Sequence, residues 1–271
     1  MFVNGFWRVI LRAVSGPKNL SYSRPQRTNL KIGILAVQGD YEAHARMLEG
    51  LGADYVLVRT PEDAAQVDAI ILPGGESTTM LKFLKEEGLE AALRALDARG
   101  ASFFGTCAGA ILLARDVRSP AQESLGFADL AITRNAYGRQ LASEVRSAPS
   151  KLKSEPLEMV FIRAPWIDEV GPEVEVLARE GGRPVLVRDG RILIATFHPE
   201  LTADTTVHEY FLKLAAEQSA ATKSQSGRSG SSSTASKSDS SESSSARPAR
   251  MSRRKELSCP AKLPASPAKI I

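Results

Sequence analysis

Residues 101–114 have the sequence ASFFGTCAGAILLA, and this stretch decides the class of fold that we expect. Its first part is a short apolar run typical of a buried strand, and its last part is an apolar run that favours a helix. Cys107 falls in the turn between them, with Gly105 and Gly109 on either side. Small flanking residues permit the strained strand-to-helix turn on which α/β hydrolases present a nucleophile, so the stretch predicts an α/β sheet with a nucleophile elbow.

Two interpretations of Cys107 fit this turn. As a nucleophile, its thiolate would lie at the positive N-terminal end of the following helix, which favours the deprotonated form. As a structural residue, it would be an ordinary buried cysteine in a glycine-rich packing turn, because free cysteine is often part of a hydrophobic core. The turn alone does not decide between the two.

Strands and helices alternate on both sides of this turn. Residues 31–37 form a continuous apolar run, as expected for a parallel strand buried on both faces, and the folded domain is predicted to begin there. The same reasoning predicts strands at 55–58 and 68–72 and helices at 41–51, 78–84 and 89–99. This order predicts a doubly wound, mostly parallel sheet with flanking helices, whose functional residues lie beyond the carboxyl ends of the strands.

The second half of the chain changes character, because short apolar runs there follow one another with tight connections. A hairpin turn is predicted at 188–191, since Asp-Gly suits a positive φ. A helix at 205–217 is predicted to close the domain. The extra short strands of this half are predicted at 127–133, 159–162, 174–178, 184–187 and 192–195.

The two ends of the chain differ in charge from the part between them. Residues 1–30 hold five basic residues and no acidic one, and residues 218–271 hold ten basic and three acidic residues. Subtracting these two contributions from the formal net charge of +4 leaves −8 for residues 31–217. The positive net charge therefore belongs to the ends and does not indicate a specific nucleic-acid-binding function.

Three segments follow from this composition. Residues 1–30 are predicted to be a poorly ordered basic extension, because interspersed basic residues argue against a secretory signal. A dispensable extension or a start codon placed too far upstream is favoured over a transit peptide. Residues 31–217 form the predicted domain. Thirteen of the twenty-two residues in 224–245 are serine, so residues 218–271 are predicted to be a disordered, Ser-rich basic tail.

Cysteine content and hydropathy indicate a cytoplasmic protein. Cys107 and Cys259 are the only cysteines, too few for a disulfide framework, and this favours a reducing compartment. No run approaches the roughly 18 apolar residues that a membrane-spanning helix needs. The sequence predicts no metal site and no cofactor.

Of the three histidines, one is placed as a catalytic base. His44 and His208 lie in predicted helices, where a surface or packing role is the ordinary interpretation. His198 follows the last predicted strand, and Glu200 two residues later can turn back to accept a hydrogen bond from its second ring nitrogen. His-Pro-Glu alone is weak evidence, but together with Cys107 in an elbow it predicts a Cys-His-Glu triad.

Residues 73–78, with the sequence PGGEST, follow the strand predicted to neighbour the elbow strand. Two glycines allow close backbone approach, so this loop is predicted to complete an oxyanion hole begun by the Ala108 N–H. A phosphate loop is a poor alternative, because its lysine is absent and Glu76 would repel phosphate. A simple strand-to-helix turn capped by Ser77 remains an alternative.

Taken together, these segments resemble the class I glutamine amidotransferases, with their flavodoxin-like fold, and more narrowly the family of glutaminase subunits of pyridoxal 5′-phosphate synthase. The resemblance covers residues 31–217 almost without gaps. The triad alone would indicate only the superfamily, whereas PGGEST, RNxxGRQ and FIRAP narrow it to the family. The matching segments are AVQG at 36–39, EAH at 42–44, LPGGESTTM at 72–80, GTCAG at 105–109, RNAYGRQ at 134–140, FIRAP at 161–165 and FHPELT at 197–202.

The resemblance implies hydrolysis of L-glutamine to glutamate and ammonia. Cys107 would form a γ-glutamyl thioester, His198 would transfer protons, and Glu200 would orient His198. Without the resemblance, a structural ion pair is the better explanation for an arginine such as Arg134. The resemblance further implies that Gly75 and Ala108 supply the oxyanion donors and that the glutamine contacts are Gly75, Glu76, Ser77, Arg134, Ile162 and Arg163.

The resemblance also implies a partner. A barrel-shaped synthase subunit would receive the ammonia through a tunnel within a hetero-oligomeric complex, and Gln38, Gly39 and His44 would lie at the interface with it. For His44, a packing or helix-capping role remains equally open.

Two other classes of function were weighed. In related cysteine peptidases a histidine commonly follows the nucleophile, whereas Ala108 follows Cys107 here. A non-catalytic scaffold is disfavoured because Cys107, His198 and Glu200 are all present.

Overall fold

A seven-stranded sheet forms the centre of this computed structural model, which describes residues 30–134 and 143–226. These residues fall in one compact unit. The strands are β1 (Ile32–Leu35), β2 (Tyr55–Val58), β3 (Ala69–Leu72), β4 (Ser102–Thr106), β5 (Ala114–Arg118), β6 (Ala128–Thr133), β7 (Ser143–Ala148), β8 (Leu157–Ile162), β9 (Trp166–Val170), β10 (Glu175–Glu180), β11 (Arg183–Asp189) and β12 (Ile192–Ala195). The helices are α1 (Tyr41–Gly50), α2 (Pro61–Ala65), α3 (Ser77–Glu86), α4 (Leu89–Ala98), α5 (Ala108–Leu113) and α6 (Thr206–Ser226), and a 3-10 turn spans Pro199–Leu201.

The order of strands in the central sheet is β10-β11-β12-β4-β3-β1-β2. Strands β2, β1, β3, β4 and β12 pair in parallel, and β11 and β10 extend the sheet antiparallel at one edge. The prediction of a doubly wound, mostly parallel sheet with flanking helices is confirmed.

Both faces of the central strands are buried, which explains why they are apolar without alternation. In β3, Ile70 and Leu72 belong to one hydrophobic cluster and Ile71 to the cluster on the other face. In β4, Phe103 and Phe104 divide between the faces in the same way. A sheet covered on both faces leaves its carboxyl edge as the open place for function.

The second half contains all the predicted short strands and two small additional sheets. One has the order β5-β6-β9, and the other is the antiparallel pair β7-β8. The predicted hairpin joins β11 to β12, with Asp189 opposite Ile192 and Gly190 at φ 53°. Strands β5, β7 and β9 and the short helix α2 were not predicted.

Two structural features extend beyond residues 31–217, the range predicted for the domain. Leu30, one residue before the predicted start, is buried in the core. Helix α6 continues to Ser226, nine residues beyond its predicted end at 217. Predictions about residues 1–29, 135–142 and 227–271 fall outside the described residues. None of the helices described here is long and apolar enough to cross a membrane.

Candidate active site

The carboxyl ends of four neighbouring strands, β12, β4, β3 and β1, bring the candidate residues together. His198 lies just beyond β12, and Cys107 directly follows β4. Residues 73–76 follow β3, and residues 38–40 follow β1. Parallel strands that lie side by side deliver these four segments to one edge of the sheet, as the sequence predicted.

The turn at Cys107 has the geometry of a nucleophile elbow. Cys107 has φ 45° and ψ −98°, a strained conformation for a residue with a side chain. A Cβ added at Gly105 would lie 2.7 Å from the backbone of Gly109, and one added at Gly109 would lie 2.0 Å from the carbonyl oxygen of Leu72. The two glycines are therefore needed because the elbow packs tightly against itself and against β3.

His198 and Glu200 lie as the sequence predicted. His198 Nδ1 is 2.7 Å from Glu200 Oε1, and both side chains are almost completely buried. The backbone N–H of His198 donates to the Val160 carbonyl at 2.8 Å, which holds the segment against β8. Pro199 opens the 3-10 turn that carries Glu200 back toward the ring.

The electrostatics of this pair favour a charged imidazolium. Burial lowers the pKa of His198, but the charges of Glu200 and Cys107 and hydrogen bonds to both outweigh burial and raise this pKa well above its ordinary value. Burial likewise acts to raise the pKa of Glu200, yet the neighbouring His44 and His198 bring it down to about 2. Near neutral pH, therefore, Glu200 is ionised and His198 carries a proton.

Asp40 is a neighbour of this pair that the sequence analysis missed. Its Oδ2 lies 3.6 Å from His198 Nδ1, and its pKa is raised by burial. Asp40, His198 and Glu200 each offer one ligand atom within 4.8 Å of the others, so they form a group that could hold a metal ion, although Nδ1 and Oε1 already share a short hydrogen bond. Its position just beyond the end of β1, at the functional edge of the sheet, is the signal by which the sequence could have indicated Asp40.

The loop after β3 packs closely on the imidazole and on the loop after β1. A Cβ at Gly74 would lie 2.2 Å from His198 Cε1, and one at Gly75 would lie 2.5 Å from Gln38 Oε1. The backbone N–H of Glu76 donates to that same Gln38 oxygen at 2.9 Å. The Gln38 side chain therefore holds the loop in place through this hydrogen bond, and Gly74 lets the loop lie against the His198 ring.

The backbone N–H groups of Gly75 and Ala108 are the two donors that the sequence predicts for an oxyanion hole. Among the hydrogen bonds of residues 30–134 and 143–226, none uses the N–H of Gly75 or the N–H of Ala108. Ala108 is the first residue of α5, where backbone N–H groups lack an intrahelical acceptor. Neither N–H is therefore engaged by another described residue, and their assignment as oxyanion donors stays a prediction.

Glu76 and Arg134 meet at the rim of the site. Arg134 Nη2 lies 3.3 Å from Glu76 Oε1, and Arg134 Nε is buried with no partner among the described atoms. Glu76, not Ser77, caps helix α3, because its carboxylate accepts from the Thr78 N–H at 3.4 Å. The alternative of a capping Ser77 is therefore wrong, and the Ser77 hydroxyl donates instead to Gln122 at 2.9 Å.

The end of β8 lies beside the cysteine. Cys107 Sγ is 3.8 Å from the carbonyl oxygen of Ile162. Arg163, the next residue, is exposed and has φ 44°, an uncommon conformation for arginine. The structure thus places Ile162 at the candidate nucleophile, and Arg163 adjoins it. The rest of the predicted RNxxGRQ segment, residues 135–140, lies outside the described residues.

His44 is not where the resemblance implied. Its ring is fully buried, so it offers no surface to a partner in this structure. His44 Nδ1 lies 2.9 Å from His208 Nε2, and His44 Nε2 lies 3.2 Å from Thr106 Oγ1 and 3.5 Å from Glu200 Oε2. Burial lowers the pKa of both histidines, that of His208 to about 3, so both are neutral at neutral pH. Gln38 and Gly39, in contrast, are partly exposed.

A strained cysteine, a buried imidazole and a buried carboxylate at the carboxyl edge of a doubly wound sheet place the chain among α/β proteins with a candidate thiol active site. The model of the SNO glutamine amidotransferase family matches residues 34–217, and the chain belongs to this family.

Similar proteins agree with this membership. A pyridoxal 5′-phosphate synthase subunit PdxT from Koribacter versatilis is 51% identical over 194 residues, which cover 72% of this chain and 100% of that protein. A protein of the same name from Fervidobacterium nodosum is 46% identical over 186 residues, 69% of this chain and 97% of that protein. A solved glutamine amidotransferase structure has a TM-score of 0.64 and 45% identity and covers 68% of this chain and 98% of its own.

Proposed function

We propose that this protein is a glutaminase that hydrolyses L-glutamine to L-glutamate and ammonia with a Cys107-His198-Glu200 triad. The observation that carries the proposal is the strained elbow of Cys107 beside a His198 ring that Glu200 holds at 2.7 Å. Strain at a non-glycine residue persists only where the surrounding structure enforces it, and such residues cluster at active sites. Membership of a glutamine amidotransferase family supports the choice of substrate.

The first half of the reaction uses the charged imidazolium. The Cys107 thiolate attacks the side-chain amide carbon of glutamine, and the new carbon–sulfur bond gives a tetrahedral oxyanion. When the carbon–nitrogen bond breaks, His198 gives its proton to the departing nitrogen, so that ammonia leaves and a γ-glutamyl thioester remains. The raised pKa of His198 supports this role, since the ring carries the required proton before the reaction begins.

The second half returns the enzyme to its starting state. Neutral His198 takes a proton from water, and the resulting hydroxide attacks the thioester carbon. The carbon–sulfur bond then breaks, glutamate is released and the thiolate is restored beside a protonated His198. Glu200 remains ionised throughout, because its pKa is lowered to about 2. Its carboxylate keeps the His198 ring oriented and stabilises the charge of the imidazolium.

The unpartnered N–H groups of Gly75 and Ala108 would bind the oxyanion in both tetrahedral intermediates. These donors are held by packed backbone, so they need no reorganisation when negative charge develops on the substrate oxygen. The Ile162 carbonyl beside Cys107 would accept a hydrogen bond from the bound glutamine.

Selectivity for glutamine would come from the rim. The substrate carries an α-ammonium, which a carboxylate such as Glu76 can bind, and an α-carboxylate, which a guanidinium such as Arg134 can bind. These two side chains lie 3.3 Å apart. Ser77 and Arg163 complete this set of contacts.

We further propose that the ammonia passes to a synthase subunit for pyridoxal 5′-phosphate synthesis. The two relatives described above are each named as a subunit of that synthase. Gln38 and Gly39 would form part of the interface, because they are partly exposed and Gln38 also contacts the loop that carries Gly75. A reducing, cytoplasmic location belongs to the same proposal, since Cys107 must stay a free thiol.

The test is glutamate release from glutamine by the purified chain, alone and with a pyridoxal 5′-phosphate synthase subunit. Activity is expected to rise on adding the synthase and to vanish in Cys107→Ala under both conditions. Unchanged turnover by Cys107→Ala would overturn the assignment of the nucleophile. Activity that does not respond to the synthase would overturn the partner while leaving the triad in place.

A further inference from the structure

Behind Glu200, on the side away from His198, lies a buried pair of histidines that the proposed reaction does not use. His44 reaches from α1 and His208 from α6, and neither ring is exposed to solvent. Their contact joins Nδ1 of His44 to Nε2 of His208 at 2.9 Å. Burying two imidazoles against a carboxylate needs an explanation, because an apolar pair would pack there without polar groups to satisfy.

Glu200 has one oxygen without a conventional partner. Oε1 receives the His198 hydrogen bond, whereas Oε2 is fully buried and has no hydrogen-bond partner among the described atoms. The ring nitrogen nearest to Oε2 is Nε2 of His44 at 3.5 Å, and the same nitrogen lies 3.2 Å from the hydroxyl of Thr106.

The surroundings determine which nitrogen of each neutral ring carries the proton. If His44 held its proton on Nδ1, the lone pair of Nε2 would face the negative Oε2 of Glu200. His208 would then carry its proton on Nδ1, which is buried and without an acceptor. With both protons on Nε2, His208 donates to His44, and His44 directs its N–H toward Thr106 and Glu200. The second arrangement avoids the repulsion at Glu200, and it leaves an unpaired lone pair on His208 Nδ1 in place of an unpaired N–H.

We propose that His44 is a positioning residue that steadies the Glu200 carboxylate through its Nε2–H, with His208 fixing the tautomer of His44. The proposed triad becomes one end of a buried chain of five side chains, Cys107, His198, Glu200, His44 and His208. This inference rests on the proposed function, because it assigns Glu200 its orienting role.

Two amide side chains separate positioning from packing. The amide nitrogen of glutamine stands as many bonds from Cα as His44 Nε2 does, so His44→Gln keeps a donor toward Glu200. Asparagine ends at the position of Nδ1, so His44→Asn keeps an acceptor for His208 and loses that donor. Phe211→Leu is the matched packing control, since Phe211 contacts the same Phe104 ring as His44 does and has no part in the proposed reaction.

The first measurement is kcat and KM for glutamine, with kcat expressed per active site titrated by a thiol-reactive glutamine analogue. For His44→Asn, we expect kcat to fall about tenfold to a hundredfold, as when the partner of a functional side chain is lost. KM should change little, because His44 does not reach the substrate. His44→Gln should retain kcat within about threefold, and Phe211→Leu should retain kcat per titrated site.

The second measurement is the pH dependence of Cys107 alkylation by iodoacetamide, followed on the Cys107 peptide by mass spectrometry. The titratable groups that interact with Glu200 in the described residues are His198, His44, Asp40 and His208. Losing the His44 donor makes Glu200 easier to protonate, so the acid limb should move to higher pH in His44→Asn and much less in His44→Gln.

The kinetic constants and the alkylation profiles distinguish a positioning role of His44 from a packing role. Equal kcat per site and equal alkylation profiles in His44→Asn and His44→Gln would overturn the positioning role, as would an equal loss in Phe211→Leu. If the alkylation profiles differ as expected but the wild type hydrolyses no glutamine, the chain of five holds and the proposed glutaminase function fails.

Discussion

At the scale of single residues, the buried His208 predicts that acid lowers the stability of the fold. Its pKa is lowered to about 3 by burial, whereas an imidazole in the unfolded chain titrates near 6.5. Between about pH 6.5 and about pH 3, His208 binds a proton in the unfolded chain but not in the folded chain. The free energy of unfolding therefore falls as the pH drops through this range. The loss approaches about 1.4 kcal/mol per pH unit for this one group.

The variant His208→Gln tests this linkage. Glutamine does not titrate but can still donate to His44 Nδ1, so the variant should lose less stability on acidification than the wild type. Between pH 6.5 and pH 4.5, the difference between the two free energies of unfolding should change by about 2 kcal/mol in favour of the variant. Urea unfolding at both pH values measures it, and parallel losses in the two proteins would contradict the assignment of a neutral, buried His208.

Residue-scale prediction from sequence succeeded where the signal was local. Two glycines flank Cys107, and Glu200 follows His198 by two positions, so spacing alone suggested the elbow and the His-Glu contact. The contact between His44 and His208 joins positions 164 residues apart on two helices. No local pattern marks such a pair, and each histidine alone resembled a surface or packing residue.

At the scale of elements, the elbow depends on an unusually close approach of α5 to β3. Gly109 lies inside α5, where replacing glycine by alanine ordinarily favours the helix. Here the added Cβ would lie 2.0 Å from the Leu72 carbonyl oxygen, a backbone atom that cannot rotate away. The steric cost should exceed the gain in helix propensity.

We therefore expect Gly109→Ala to lower the free energy of unfolding by about 3 kcal/mol and to reduce activity by displacing Cys107. Gly50→Ala is the matched control, because Gly50 lies in helix α1 with no atom within 4 Å of its added Cβ. That control should be neutral or more stable by about 0.5 kcal/mol. Equal melting temperatures for the two variants would show that α5 can shift away from β3 at little cost.

The extent of burial explains which strands could be predicted from the sequence. Strands such as β3 and β12 are buried on both faces, so their apolar runs stand out. Strand β7 contains Glu144 and Arg146 and is buried at only one position, Ala148. Its partner β8 supplies most of the apolar side of that pair, with buried residues at four positions, so β8 was predicted and β7 was not.

At the scale of the whole molecule, the last helix is the described segment that continues beyond the predicted domain. Phe211, Leu214 and Ala215 of α6 are buried against the central sheet. None of residues 218–224 is buried, so the hydrophobic periodicity stops near residue 217 and the predicted helix ends too early. Alanine, glutamine and lysine in this stretch favour helix by propensity, and the side chains of Gln218 and Thr222 lie beside Gly100.

Two truncations test whether the core ends where this burial ends. A chain ending at Gln218 keeps Phe211, Leu214 and Ala215 in the core and should retain kcat, with a melting temperature lowered by only about 2 °C, because the removed part of the helix has no buried side chain among residues 219–224. A chain ending at Tyr210 loses Phe211 and Leu214 from the core, and should lose several kcal/mol of stability, about 3 or more for the phenylalanine alone. Glutaminase assays and thermal melts of both chains measure the effects. If the chain ending at Gln218 were inactive, residues beyond 218 would have to support the site at the opposite, carboxyl edge of the sheet, although none of 219–224 is buried.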